Sequence, residues 1–224
     1  MTLSIQLGHF CGAMMMSYTL YGYRGSGSAA VEMALNAAGL AYTVVETASW
    51  ATDSDRVALK QVNPLQQIPT LVFPDGAVMT ESAAMLIHLG LCHTESGIVP
   101  VEPARRAQVL RGLVFLAANC YSAVGIIDYP ERWLTADDDA LKRLKEGTTG
   151  RLHYHWQMFA DTFSGWPFLT GDQPGALDFL AVVVSRWSGT RAFLAEKRPQ
   201  FSQLLQRIAQ HPRAASVLAR HEMC

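Results

Sequence analysis

Two short segments of this 224-residue chain bring together residue types that can bind an extended peptide. The first, Asn63-Pro64-Leu65-Gln66-Gln67-Ile68-Pro69-Thr70-Leu71, sets an X-Pro bond just ahead of a β-branched, apolar run. A cis bond there, the state of only about 5% of X-Pro bonds in folded proteins, would turn the Ile68 N–H and C=O outward to pair with an added strand. Gln67 could donate to the same peptide. The second segment, Glu81-Ser82, opens a run with helical spacing. Free N–H groups and the dipole at a helix start favour a carboxylate, while a side-chain acid can hold an ammonium. Plainer roles exist for each residue alone: Pro69 as a turn former, Ser82 as a helix cap. Their order along the chain favours a site.

The elements that must position these residues follow from hydrophobic period. Tyr18-Thr19-Leu20-Tyr21 reads as a buried strand, Gly25-Ser26-Gly27-Ser28 as a loop, and Ala29 to Ala37 as a helix ended by Gly39. Tyr42-Thr43-Val44-Val45 is a second strand, parallel to the first because a crossover helix joins them. Thr70 to Phe73, the turn Pro74-Asp75-Gly76 and Ala77 to Met79 form an antiparallel hairpin, followed by a helix from Ser82 to Leu89. The order βαβ then ββα gives a four-stranded mixed sheet. Beyond it, Pro103 to Ile127, Ala136 to Phe163, Ala176 to Leu194 and Phe201 to His211 all carry helical spacing, and no further strand is expected.

Taken as a set, the N-P-x-x-x-I-P-T-L run, the P-D-G hairpin, Thr80-Glu81-Ser82-Ala83-Ala84 and Phe168-Leu169-Thr170-Gly171-Asp172 leading to Asp178 resemble the soluble glutathione transferases, in a bacterial-like form, from about Tyr18 to Arg220. The resemblance implies an α/β thioredoxin-like domain followed by an all-α helical bundle. It divides the chain into a loose extension at 1–17, a glutathione-binding domain at 18–92, a linker at 93–102 and a substrate-binding domain at 103–224. It also implies glutathione as co-substrate, held by Gln67, Ile68, Pro69, Glu81 and Ser82, and a small hydrophobic electrophile near Asn119, Tyr121 and Ser122. A cytoplasmic homodimer acting in detoxification completes the expectation, its interface formed by the helices that begin near Ser82 and Pro103. The alternative is a protein that keeps the fold to bind or regulate without transfer.

The chemistry requires a thiolate, yet a free thiol of pKa near 8.5 is only a few per cent ionised at pH 7. Lowering that pKa by about 2 units takes roughly 2.7 kcal/mol, within reach of one hydroxyl donor plus helix-terminal N–H groups. Serine-type members place the hydroxyl just after the first strand, where Ser26 stands. Tyrosine-type members use a residue in the position of Tyr21. Ser28 is a third candidate, with an alternative role as N-cap. Cysteine-type members carry Cys near Gly27, and none is present. Gly175 departs from the Ser or Thr usual as the cap before Asp178.

Composition removes other classes. With 18 basic and 19 acidic side chains the chain has no excess of positive charge for nucleic acid. No apolar run of bilayer length is expected, and Met1 to Ser17 has no basic residue to start a secretory signal. Cys11, Cys92, Cys120 and Cys224 lack metal or redox spacing and read as free thiols in a reducing cytoplasm, Cys120 as a core residue. Gly25 to Ala30 fits a dinucleotide-binding G-x-G-x-x-A with Glu46 downstream, but the hairpin leaves no place for a third parallel strand. His153 and His155, two apart on a helix, do not face each other, so no metal is expected there. Asp137-Asp138-Asp139 reads as a first helical turn capped by Thr135.

Overall fold

The computed structural model describes residues 17–48, 50, 52–165 and 167–223. The expected extension, Ser17 apart, lies outside these residues, as do Cys11 and Cys224. Strand β1 (Tyr18–Gly22) is followed by helix α1 (Ser28–Ala37), strand β2 (Tyr42–Glu46), helix α2 (Asp53–Val62), β3 (Thr70–Val72), β4 (Val78–Met79) and α3 (Ser82–Cys92). The sheet order is β2-β1-β3-β4, with β1 parallel to β2 and the other two pairs antiparallel. This is the mixed sheet expected, and the hairpin indeed stands where a third parallel strand would be needed for a dinucleotide fold.

Helix α2 was not expected. Its Thr52 accepts from the Asp55 N–H at 3.4 Å, a capping signature visible in Thr52-Asp53-Ser54-Asp55. Leu59 alone among its described side chains is buried, so no apolar stripe announces it.

The rest is helical among the described residues. Helices α4 (Pro103–Phe115) and α5 (Ser122–Asp128) are joined without a break by a π-helical turn, Leu116–Tyr121. Then come α6 (Asp138–Thr162), α7 (Ala176–Val184), α8 (Thr190–Lys197), α9 (Pro199–Gln210) and α10 (Pro212–Arg220). The expected helix from Ala176 to Leu194 is therefore two, parted at Gly189, whose φ is +73°. Pro212 ends one helix and starts another, since proline at the first helical position gives up only an N–H that would be unpaired anyway. Asp137, not Thr135, caps α6 by accepting from the Ala140 N–H at 2.8 Å.

The stretch Pro103–Asp128 does contain an 18-residue window apolar enough for a membrane span, contrary to expectation. Its Val109, Leu113, Leu116, Cys120 and Val124 are buried in the same core as Trp156 and Phe159 of α6 and Phe179 and Leu180 of α7. That core runs without interruption into Leu20, Val31, Met33, Leu71 and Leu86 of the sheet domain. Helix α7 is anchored by Asp178, which accepts from the N–H groups of Leu169, Thr170 and Gly175 at 2.8, 2.9 and 3.1 Å. A Cβ on Gly175 would lie 2.5 Å from the Ile98 carbonyl oxygen, and this explains why the usual capping Ser or Thr is missing.

Candidate glutathione site

Strand register brings the candidate segments to one end of the sheet. Tyr21 pairs with Thr70, and Leu71 with Met79. Extending these ladders by one and two residues sets Pro69 across from Gly22 and Glu81 across from Pro69. With strands about 4.8 Å apart, the row spans roughly 10 Å, the length of an extended tripeptide. Helix α1 starts from this row through the Ser26 loop, and α3 starts from it at Ser82.

The middle of the row is a cis Ile68–Pro69 bond. Asn63, 2% exposed, braces it by donating to the Gln67 carbonyl and to Thr70 Oγ1, both at 3.0 Å. Thr70 Oγ1 donates to the Gln67 carbonyl at 2.9 Å. The Ile68 N–H and C=O have no hydrogen-bond partner among the described residues. Gln67 is exposed.

At one end Glu81 is exposed and holds φ +66°, ψ +103°, a backbone state costly for a residue with a Cβ and recurrent at ligand clamps. Ser82, buried, is the first residue of α3, so the N–H groups of its first turn open toward the same spot.

At the other end Ser26 is 7% exposed. Its Oγ accepts from the amides of Ser28 at 3.2 Å and Tyr23 at 3.4 Å and lies 2.9 Å from Ser28 Oγ. Ser28, fully buried, can donate to the Tyr23 carbonyl at 3.4 Å. Ser28 is thus not the N-cap. Gly27 holds that position, and Ser26 supplies the oxygen that a capping side chain would. Tyr21 lies within β1, half-buried, its side chain on the sheet face opposite to that of Leu20, which is buried in the core shared with α1.

The three residues expected near the electrophile separate. Tyr121, at the end of the π-helical turn, stacks on Trp187 at 5.4 Å and reaches the loop: a Cβ on Gly27 would lie 2.1 Å from its hydroxyl. Burial pushes the Tyr121 phenol up to about 12, with the Asp128 and Glu81 carboxylates adding to the effect, so it stays a neutral hydroxyl. Asn119 and Ser122 instead line a groove of about 390 Å³ between the α4–α5 stretch and α6, beside Arg143, Arg151 and His155. Asn119 Nδ2 donates to the Phe115 carbonyl at 3.2 Å, and Ser122 Oγ to the Ala118 carbonyl at 2.5 Å.

Sequence reasoning overlooked Trp50, which meets Tyr23 edge-on at 5.9 Å beside the Ser26 loop, and Trp187. It also overlooked buried Glu32 on α1. No periodic signal marks the first two. The third, a charge on an otherwise apolar helix face, was visible.

Elsewhere, His153 contacts the Ser188 carbonyl at 3.0 Å and His155 the Asn119 carbonyl at 2.9 Å, each on a different element. No cluster of three or more His, Cys, Asp or Glu side chains able to hold a metal occurs among the described residues. Burial pushes the Cys120 thiol up to about 12, as suits a core residue.

A thioredoxin-like domain with this cis-proline row, followed by a helical bundle, defines the glutathione-transferase class of architecture. The family model described as glutathione S-transferase, N-terminal domain, matches residues 28–91. The chain is 29% identical over 205 residues to an uncharacterized GST-like protein of Escherichia coli, YncG, covering 91% of this chain and 98% of the relative. It is 28% identical to a probable glutathione S-transferase of Zea mays, BZ2, with 85% of each chain covered. A Sulfitobacter glutathione transferase homologue crystallised with glutathione superposes with a TM-score of 0.82 at 21% identity, covering 94% of this chain and 100% of that one. The chain is thus similar to the glutathione S-transferases in its N-terminal domain, to GST-like relatives over most of its length, and to solved glutathione transferases in its fold.

Proposed function

We propose that the protein is a glutathione transferase that activates the glutathione thiol for attack on a small hydrophobic electrophile. The observation that carries this reading is the row Gly22, Pro69, Glu81, with an unpaired Ile68 backbone at its centre and a helix start at each end. The tripeptide lies along the row. Its cysteinyl portion pairs with Ile68, its γ-glutamyl carboxylate meets the N–H groups at Ser82, and its ammonium meets Glu81. Gln67 donates to the remaining backbone.

The sulfur then falls toward the Ser26 loop. Ser26 can turn its O–H from Ser28 to the sulfur and donate a hydrogen bond to the thiolate while keeping its proton, because Ser28 is able to donate to Ser26 in return, and the first amides of α1 add positive potential. The thiol proton leaves to solvent, the thiolate attacks the electrophilic carbon, and the leaving group departs with its electron pair. Tyr121 and Trp187 are assigned to the electrophile side. The bound glutathione of the Sulfitobacter neighbour supports glutathione as the ligand here.

We further assign the domains as 18–92 and 103–224 with a linker at 93–102, a cytoplasmic location, a role in detoxification, and a homodimer through α3 and α4. Exposed Leu91, Val101 and Val114 on those helices and the segment between them support the dimer. Sedimentation at micromolar concentration tests it, a monomer contradicting the assignment. A second reading, a glutathione-binding protein without transfer, is favoured by the low exposure of Ser26 and its two amide contacts. Ultraviolet difference spectroscopy of glutathione added to the protein separates the two: a thiolate band near neutral pH supports transfer, and binding without it supports the second reading.

A further inference from the structure

Glu32 lies on α1, four residues past Ser28, and is 2% exposed. A carboxylate so placed is costly unless it is paired and hydrogen-bonded. Its partners come from the far end of the described chain. His221 Nε2, itself on a side chain 5% exposed, donates to Glu32 Oε1 at 2.5 Å, and Arg220 pairs with Oε2. The Tyr42 hydroxyl adds a donor at 3.4 Å. The turn that carries these partners continues over the loop ahead of α1. The His221 carbonyl lies 3.9 Å from where a Cβ on Gly25 would stand, and Arg24 pairs with Glu222 at 2.8 Å. Arg186 donates to the Met223 carbonyl, and Met223 is buried in the core, so the turn is fixed from behind.

The same loop holds Ser26. Its backbone geometry is kept by short bonds, from the Ser26 N–H to the Tyr23 carbonyl at 3.1 Å and from the Ala29 and Ala30 N–H groups to Ser26 and Gly27 at 3.3 and 3.2 Å. These bonds are local and begin at the exposed stretch Tyr23, Arg24 and Gly25, and a segment tied only by local bonds opens at low free energy unless something holds it.

We propose that the turn at Arg220–Met223 is a positioning element for the Ser26 loop, with Glu32 and His221 as its positioning residues. The clasp sets where α1 begins relative to β1, and so where the Ser26 hydroxyl stands relative to a bound sulfur. The second half of this statement rests on the transferase reading; the first half does not.

The test measures amide hydrogen exchange of residues 23–30 in the full chain without ligand, together with glutathione affinity and the pKa of the bound thiol. His221→Ala removes the donor, His221→Gln restores an amide where Nε2 stood, and Arg24→Ala breaks only the exposed pair, so it leaves the core intact. The expected result is exchange of the Ser26, Ala29 and Ala30 amides at least tenfold faster in His221→Ala and about threefold faster in Arg24→Ala, with His221→Gln close to the parent. Glutathione affinity stays within twofold, while the bound-thiol pKa rises by about one unit, a tenfold loss of thiolate below it. Exchange at residues 23–30 unchanged in both alanine variants, or raised equally throughout the protein, would overturn the proposal. If the parent binds no glutathione or forms no thiolate, the transferase reading fails and the exchange result still decides whether the clasp holds the loop.

Discussion

The hydroxyl oxygens of Ser26 and Ser28 lie 2.9 Å apart, with either able to donate. Ser26 is also the acceptor for two amides. Its hydroxyl is therefore held by three contacts before any ligand arrives, and holding a donor in place in advance makes it effective toward a forming charge. Removing the oxygen strands two amides, so Ser26→Ala should lower stability by about 1–2 kcal/mol in urea unfolding. A change within error would mean that water replaces the side chain.

Gly27 and Tyr121 should behave as a coupled pair. A Cβ at Gly27 would stand 2.1 Å from the Tyr121 hydroxyl but 3.1 Å from the ring carbon that bears it. Gly27→Ala alone should destabilise by about 1–3 kcal/mol, as overpacking does, and Tyr121→Phe should recover half or more of that loss. A double-mutant cycle with coupling below about 0.5 kcal/mol would place Tyr121 elsewhere in solution.

Glu81→Ala should weaken glutathione binding by on the order of 2 kcal/mol, about thirtyfold, since the contact with the ammonium is charge-assisted. Calorimetry on the folded variant checks this, and unchanged affinity would remove Glu81 from the site.

Burial pushes the Glu32 carboxyl up, but the His221 and Arg220 contacts outweigh it and hold the group below its usual value of 4.5. A depressed carboxylate adds stability above its unfolded pKa and loses it as pH falls through the folded one. Glu32→Gln should therefore be less stable than the parent at pH 7, with Arg220, His221 and Tyr42 facing the substituted group. The gap should narrow below about pH 4.5, on the carboxylate scale. Thermal unfolding across pH 3 to 7 checks it, and a gap that widens in acid would contradict the sign.

The sheet domain was legible because short aromatic and β-branched runs and turn residues mark it plainly: Tyr18 to Tyr21, Tyr42 to Val45, and Thr70 to Met79 around Pro74-Asp75-Gly76. Helix α2 was not, because it buries little beyond Leu59 and so lacks a stripe. The π-helical turn at Leu116–Tyr121 leaves no mark in apolar spacing, and Tyr121, two residues past Asn119, is not among the residues lining the groove that Asn119 and Ser122 share. The residues proposed to hold the peptide, Gln67 to Pro69, Glu81 and Ser82, lie in local motifs, and the structure sets those motifs at one end of the sheet. The Glu32–His221 contact joins positions 189 residues apart and no local pattern points to it.

The central claim, that the Ser26 hydroxyl stabilises a bound glutathione thiolate, is tested most directly by titrating the thiolate absorbance of bound glutathione in the parent, Ser26→Ala, Ser28→Ala and Tyr21→Phe. The account predicts that Ser26→Ala keeps its glutathione affinity within about threefold, loses about 2 pKa units of thiol activation, and falls one to two orders of magnitude in rate at neutral pH toward a generic aromatic electrophile. Tyr21→Phe should change little, and Ser28→Ala should give a shift smaller than that of Ser26→Ala. A large pKa rise in Tyr21→Phe with Ser26→Ala unchanged would contradict the account.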